Sequence, residues 1–131
     1  MSVALDASAL LAFLFGDPGH EQVAAVIDDC ELSTVNLAEV ISRFARDGHD
    51  PGLVYRQIAG SGIRILPFGG EDATLVAQLL LPTRALGLSL GDRACLALAL
   101  RRGIPALTAD QAWSKLTLPI RIQIVRAAPV S

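Results

Sequence analysis

Four acidic residues, Asp6, Glu39, Asp92 and Asp110, carry the chemistry that this sequence offers. Their contexts are Val3-Ala4-Leu5-Asp6, Asn36-Leu37-Ala38-Glu39-Val40, Leu90-Gly91-Asp92-Arg93 and Leu107-Thr108-Ala109-Asp110. Each stands where an apolar strand gives way to a helix, or just inside a helix. A parallel α/β sheet brings the carboxyl ends of its strands to one edge, so these carboxylates would meet in one crevice. Like charges crowded together are unfavourable unless something positive sits among them. The natural candidate is one or two hard divalent cations with oxygen ligands, Mg²⁺ or Mn²⁺.

Each member of the set also has an ordinary structural reading. Asp is a favoured N-cap, and Asp6, Asp92 and Asp110 each precede a helix in the sequence pattern. Asn36 to Glu39 has the spacing of a capping box, and Glu39 with Arg43 makes an i, i+4 pair in the stabilising orientation. Three points favour a site. The caps follow strands and so share one sheet edge. Glu39 shares a helix stripe with Asn36, Arg43 and Arg46, opposite the apolar face. Helix N-termini carry partial positive charge that keeps carboxylates ionised. Spacing alone leaves both readings open.

The elements that must position these residues follow from periodicity and breakers. Val3 to Leu5 reads as a buried strand, Ala7 to Phe15 as a helix closed by Gly16, and Asp17-Pro18 as the start of a second helical stretch. Leu32 to Val35 is a brief strand or connector. From Asn36 to Asp47, Leu37, Val40, Ile41, Phe44 and Ala45 fall at helical spacing, and Gly48 closes that helix. A helix over Pro51 to Ala59, a strand over Ile63 to Phe68 and a helix over Glu71 to Leu81 follow. Pro82 interrupts, and a further turn reaches Gly87. Asp92 to Arg102 is a helix apolar over most of its circumference. Pro105 to Thr108 is a strand, Ala112 to Leu116 a short helical turn, and Ile120 to Val125 the last strand. Strands alternating with helices indicate a central, mostly parallel sheet covered on both faces.

A chain of 131 residues suits one domain, and 52% apolar content supplies a substantial core. The longest apolar runs, Ala9 to Phe15 and Ala94 to Leu100, fall well short of the ~18–20 residues that span a bilayer. No Lys or Arg precedes Arg43, so the basic region of a signal peptide is not expected and a cytoplasmic protein is. The two cysteines, Cys30 and Cys95, make no disulfide framework, and Cys95 reads as a small core residue. The formal net charge is −2, yet ten of the eleven basic residues are arginine, the better phosphate fork. Two bound divalent cations would bring the net to roughly +2, so an anionic substrate stays admissible.

Other chemistries fare worse. His20 and His49 lack a nucleophile partner in sequence, and no His-x₃-His, Gly-x-Ser-x-Gly or P-loop pattern occurs. Gly60-Ser61-Gly62 lacks the third glycine of a dinucleotide loop and precedes a strand. Trp113 reads as packing under the last helical turn.

The segments Val3 to Ala12, Asn36 to Val40, Leu90 to Ala99 and Leu107 to Trp113 together resemble the PIN-domain nucleases, most closely the VapC toxins of bacterial type II toxin–antitoxin pairs. The likeness covers nearly the whole chain, in order. It implies one PIN-like three-layer α/β/α domain over residues 1–131, with a central, mostly parallel sheet of four to five strands. Asp6, Glu39, Asp92 and Asp110 match the family's acidic quartet, which holds one or two Mg²⁺ or Mn²⁺ ions. Ser8 and Thr108 match its hydroxyl positions near the metal, and Asn36 the polar residue often found before the Glu. Gln111 departs from the pattern, since Arg is common after the last Asp.

The resemblance implies an endoribonuclease in which a metal-activated water hydrolyses RNA phosphodiester bonds, leaving a 5′-phosphate and a 3′-hydroxyl. Arg93, beside Asp92, and Arg43 or Arg46, near Glu39, are candidate phosphate contacts. Ser8, Asn36 and Thr108 complete the candidate substrate set. A VapB-like antitoxin would insert a segment, often with Arg, into the acidic site. A homodimer through helix faces around Leu53 to Ile58 and Leu75 to Leu81 is also implied. Two other classes compete. A receiver-like phospho-acceptor needs an acidic pair after the first strand, where only Asp6 stands, and a late-strand Lys, whereas Lys115 has a helical context. A catalytically silent PIN-like binding scaffold is opposed by the intact quartet.

Overall fold

The computed structural model describes residues 1–125, and its sheet follows from five short apolar runs. These are β1 (Val3–Leu5), β2 (Cys30–Ser33), β3 (Arg64–Leu66), β4 (Ala106–Thr108) and β5 (Ile122–Ile124). All four pairings are parallel, in the order β3-β2-β1-β4-β5. Parallel neighbours need crossovers, and helices supply them. The chain winds outward from β1 through β2 to β3, then returns to the other side of β1 with β4 and β5. The direction of winding reverses between β1 and β4. At such a switch point the loops beyond the strands part and leave a crevice.

The helices are α1 (Ala7–Phe15), α2 (His20–Ala24), α3 (Thr34–Arg46), α4 (Pro51–Ala59), α5 (Gly70–Gln78) and α6 (Leu90–Arg102), with 3₁₀ turns at Ile27–Asp29, Arg84–Leu86 and Gln111–Lys115. Side chains alternate across a strand, and the core divides accordingly. Val3, Leu5, Cys30, Leu32 and Leu107 pack with α1 to α4 on one face. Ala4 and Ala106 pack with α5, α6 and Trp113 on the other. The result is three layers. In α6 every residue from Ala94 to Ala99 is buried, as its near-uniform apolar sequence predicts. Its alanines let the helix lie close on β1, and the Cys95 thiol reaches the Ala4 carbonyl at 3.7 Å.

Two boundaries differ from the pattern in ways that matter for the site. Helix α3 starts at Thr34, because Ser33 caps it by accepting from the Val35 N–H at 3.2 Å. Asn36 is therefore inside the first turn, buried, and Asn36 to Glu39 is not a capping box. Helix α6 starts at Leu90, capped by Ser89, so Asp92 is the third helical residue instead of the cap. No helix of the described residues is long and apolar enough to cross a membrane. Trp113 is fully buried, as are both free cysteines.

Candidate active site

Asp6 is the anchor of the crevice. It ends β1 and caps α1, with Oδ1 accepting from the Ala9 N–H at 2.8 Å. Ser8 Oγ lies 2.8 and 2.9 Å from its two carboxylate oxygens, and Thr108 Oγ1 donates to Oδ2 at 2.5 Å. These hydroxyls tie β1 to β4. The Ala109 N–H donates to Ser8 Oγ, and the Asp110 N–H to Thr108 Oγ1, each at 3.0 Å. Ser8 and Thr108, singled out in the sequence as hydroxyls near the acids, thus brace Asp6 and set the backbone leading into Asp110.

Burial raises the Asp6 pKa from 3.8 to about 6, because a charge there loses its water. The bonds from Thr108, Ala9 and Ser8 oppose the rise, and the nearby Asp92 charge adds to it. The same crowding is felt at Cys95. Its thiol is pushed well above the ordinary value, first by burial and then by the charges of Asp6, Asp92 and Glu39. The charges of Asp6, Asp92 and Glu39 thus all reach Cys95 on α6, and the Asp110 backbone is tied to the Asp6 side by its N–H bond to Thr108.

Each of the other acids has one oxygen engaged locally. Asp92 Oδ2 accepts from the Ser89 N–H at 2.9 Å, closing a true capping box with Ser89 Oγ. Asp110 Oδ1 accepts from the Ala112 N–H at 2.9 Å. Glu39 Oε1 accepts from Asn36 Nδ2 at 2.8 Å, and the same amide donates to the Gly91 carbonyl at 2.9 Å. Among the described residues, the second oxygens of Asp92, Asp110 and Glu39 have no protein donor. The described residues hold no group of three or more His, Cys, Asp or Glu already arranged around one cation position.

The arginines are placed differently. Arg43 does not pair with Glu39; its Nε meets Asp47 Oδ2 at 3.3 Å, and its guanidinium lies 5.2 Å from the centre of the Phe15 ring. Arg93 Nη1 donates to the Val76 carbonyl of α5 at 2.9 Å. Arg46 is exposed, with Nε 3.8 Å from Asp47 Oδ1. His49 is exposed and packs its edge on Phe44, and His20 begins α2 beside Glu21. A feature outside the expected set is Gly91. A Cβ at this position would overlap both carboxylate oxygens of Glu39. The sequence pattern starts the helix at Asp92, so Gly91 carries no local signal of this approach.

A doubly wound parallel sheet with the buried Asp6 carboxylate at its switch point and the Asp92 charge near it defines an α/β protein. More narrowly, the chain belongs to the PIN domain family, whose model matches residues 3–117. No curated protein matches the sequence. Solved structures do match the fold. A toxin–antitoxin complex from Klebsiella pneumoniae superposes with a TM-score of 0.70 at 18% identity, over 92% of this chain and 100% of that one. DNA-bound VapBC from Salmonella typhimurium gives 0.70 at 18% identity, over 94% and 97%. VapC20 from Mycobacterium tuberculosis, described as a sarcin–ricin loop cleaving toxin, gives 0.70 at 17% identity, over 86% and 93%.

Proposed function

We propose that this chain is a single-domain, divalent-metal-dependent endoribonuclease, the toxin of a type II toxin–antitoxin pair. The observation that carries the reading is the buried Asp6 carboxylate at the β1–β4 switch point, with the Asp92 charge acting on it. The donor set fits Mg²⁺ or Mn²⁺. It is all oxygen, it is anionic, and Asp92, Glu39 and Asp110 each keep one oxygen that no described protein group occupies. Cys95 is not a competing soft ligand, since its thiol stays protonated and sits on the Ala4 carbonyl. Asp6, Glu39, Asp92 and Asp110 would hold the ion.

A divalent cation supplies Lewis acidity there, lowering the pKa of water and offsetting charge on phosphate oxygens. The chain's own groups do the rest. Ser8 and Thr108 fix the Asp6 rotamer and hold its charge. The caps of α6 and of the 3₁₀ turn at Gln111–Lys115 aim Asp92 and Asp110. No side chain need act as nucleophile. Among the proposed substrate contacts, Ser8 and Thr108 are bonded to Asp6 and Asn36 to Glu39, while Arg43 and Arg93 would have to leave Asp47 and Val76 to reach a phosphate.

The proposed protein partner is a VapB-like antitoxin that inserts into the acidic crevice, where a guanidinium would pair with the carboxylates. The Klebsiella and Salmonella structures, described as toxin–antitoxin and VapBC complexes, support that assignment. A cytoplasmic homodimer completes the proposal. Leu53 and Tyr55 on α4 and Leu80 and Leu81 after α5 are exposed apolar side chains on the proposed faces. The test is cleavage of a panel of structured RNAs with Mn²⁺, comparing wild type with Asp6→Ala. Wild type should cut and leave 5′-phosphate ends, and Asp6→Ala should not. Equal cutting by both proteins would overturn the assignment.

A further inference from the structure

The Asn36 amide and the missing side chain of Gly91 meet at one carboxylate. Glu39 lies on an exposed position of α3, and a glutamate there would ordinarily sample many rotamers in water. Two features confine it. Asn36, buried one turn earlier on α3, donates Nδ2 to Glu39 Oε1 at 2.8 Å and to the Gly91 carbonyl at 2.9 Å. Gly91, on α6 beside Asp92, leaves the space that the Glu39 carboxylate fills, which even a methyl group would take. Helix α3 therefore delivers Glu39 to the crevice only because α6 has no side chain at that point.

We infer that Asn36 and Gly91 are positioning residues that clamp the Glu39 carboxylate against the start of α6, next to Asp92. The inference rests on the metal-dependent nuclease reading above. It gives Asn36 a role other than substrate contact. Both hydrogens of its amide are committed to Glu39 and Gly91, so none is left for a phosphate. The local alternative for Asn36, helix capping, is already filled by Ser33. Gly91 is not needed for backbone reasons, since it sits in regular helix and outside the positive-φ glycines.

Alanine is a better helix former than glycine, so Gly91→Ala should leave the metal-free protein as stable as wild type or more so. Its carboxylate clash should still displace Glu39. The measurement is Mn²⁺ affinity by electron paramagnetic resonance of free Mn²⁺, with metal-free melting recorded alongside. Wild type, Gly91→Ala, Asn36→Ala, Glu39→Ala and the double variant Gly91→Ala/Glu39→Ala are compared. Orienting residues of metal ligands are worth roughly 10–100-fold in affinity. Gly91→Ala and Asn36→Ala should each weaken Mn²⁺ binding about tenfold or more, without a lower melting point for Gly91→Ala. In the Glu39→Ala background, Gly91→Ala should have no further effect.

Wild-type affinity in Gly91→Ala, or an added loss in the double variant, overturns the positioning role while leaving the metal site standing. Glu39→Ala with wild-type affinity also overturns it, since there would be no ligand to position. No Mn²⁺ binding by wild type overturns both this inference and the nuclease reading, and so is distinguishable from the other two results.

Discussion

Replacing Asp6 by asparagine should stabilise the metal-free protein, and only above the pH at which Asp6 ionises. Asp6 is buried, with a folded-state pKa raised from 3.8 to about 6. A raised folded pKa gives stability that is fully present below about 4 and is lost as pH rises through about 6. The interval between those values corresponds to about 3 kcal/mol that the wild type loses on ionising Asp6. Asparagine avoids that loss. It keeps an oxygen for the Ala9 N–H and Ser8, but puts an amide nitrogen where Asp6 accepts from Thr108, so that hydroxyl must turn, a cost of about 1 kcal/mol relative to the neutral acid. The net gain is about 2 kcal/mol at pH 8, or about 6–10 °C in Tm for a chain of this size. At pH 4 the wild-type Asp6 is itself neutral, and Asp6→Asn should melt no higher than wild type. The assay is thermal melting in EDTA at both pH values. A variant that melts at or below wild type at pH 8, or that gains equally at both, would refute the account of Asp6 as a charge held in an unfavourable place for function.

Saturating Mn²⁺ should reverse that ordering: at a hundredfold excess over Kd, wild type gains about 2.7 kcal/mol and Asp6→Asn gains little, as read by melting with and without metal. Thr108→Val removes the strongest group holding the Asp6 pKa down, so in the metal-free protein Asp6 should titrate above about 6 and the loss of stability with rising pH, read by melting in EDTA, should move to higher pH; an unmoved loss would count against it. Glu31 is buried in β2 with its pKa lowered, chiefly by Arg102, whose Nε donates at 2.7 Å. Its contribution is present above the ordinary carboxylate range and is lost as pH falls through the lowered value. Glu31→Gln should therefore lower the urea midpoint at pH 7, and the deficit should shrink in acid. Trp113→Ala should cost about 3–5 kcal/mol in urea unfolding, since the ring is fully buried between α6 and the sheet.

The sheet was readable because its strands are short apolar runs bounded by acids, glycines and prolines. Asp6 and Asp110 could be placed on one edge because each follows one of two neighbouring parallel strands, β1 and β4. Helix α4 matches its expected bounds of Pro51 to Ala59, where Asp50 and Pro51 start a helix unambiguously. Two boundaries beside the acids shifted because a hydroxyl cap competed with a stronger-looking signal. Val35 is β-branched and continued the strand pattern, yet the Ser33 hydroxyl begins the helix there. Ser89 and Asp92 form the box that makes Asp92 an interior helical residue.

Pairings across the fold left little local trace. The bond from Asn36 to the Gly91 carbonyl spans 55 residues, and that from Arg102 to Glu31 spans 71. Nothing in the alternation of Cys30-Glu31-Leu32 tells which arginine will meet a buried glutamate. The partners of Arg43 and Arg93, Asp47 and the Val76 carbonyl, likewise depend on how helices pack and not on proximity to an acid in sequence.

The central claim, that four distant carboxylates form one divalent-cation site, is tested most directly by anomalous diffraction from crystals soaked in Mn²⁺. The account predicts a manganese peak in the crevice, coordinated by Asp6 and Asp92 with Glu39 and Asp110 around it, and no such peak in Asp6→Asn. Manganese bound elsewhere, or an Asp6 carboxylate without a cation at saturating Mn²⁺, would contradict it.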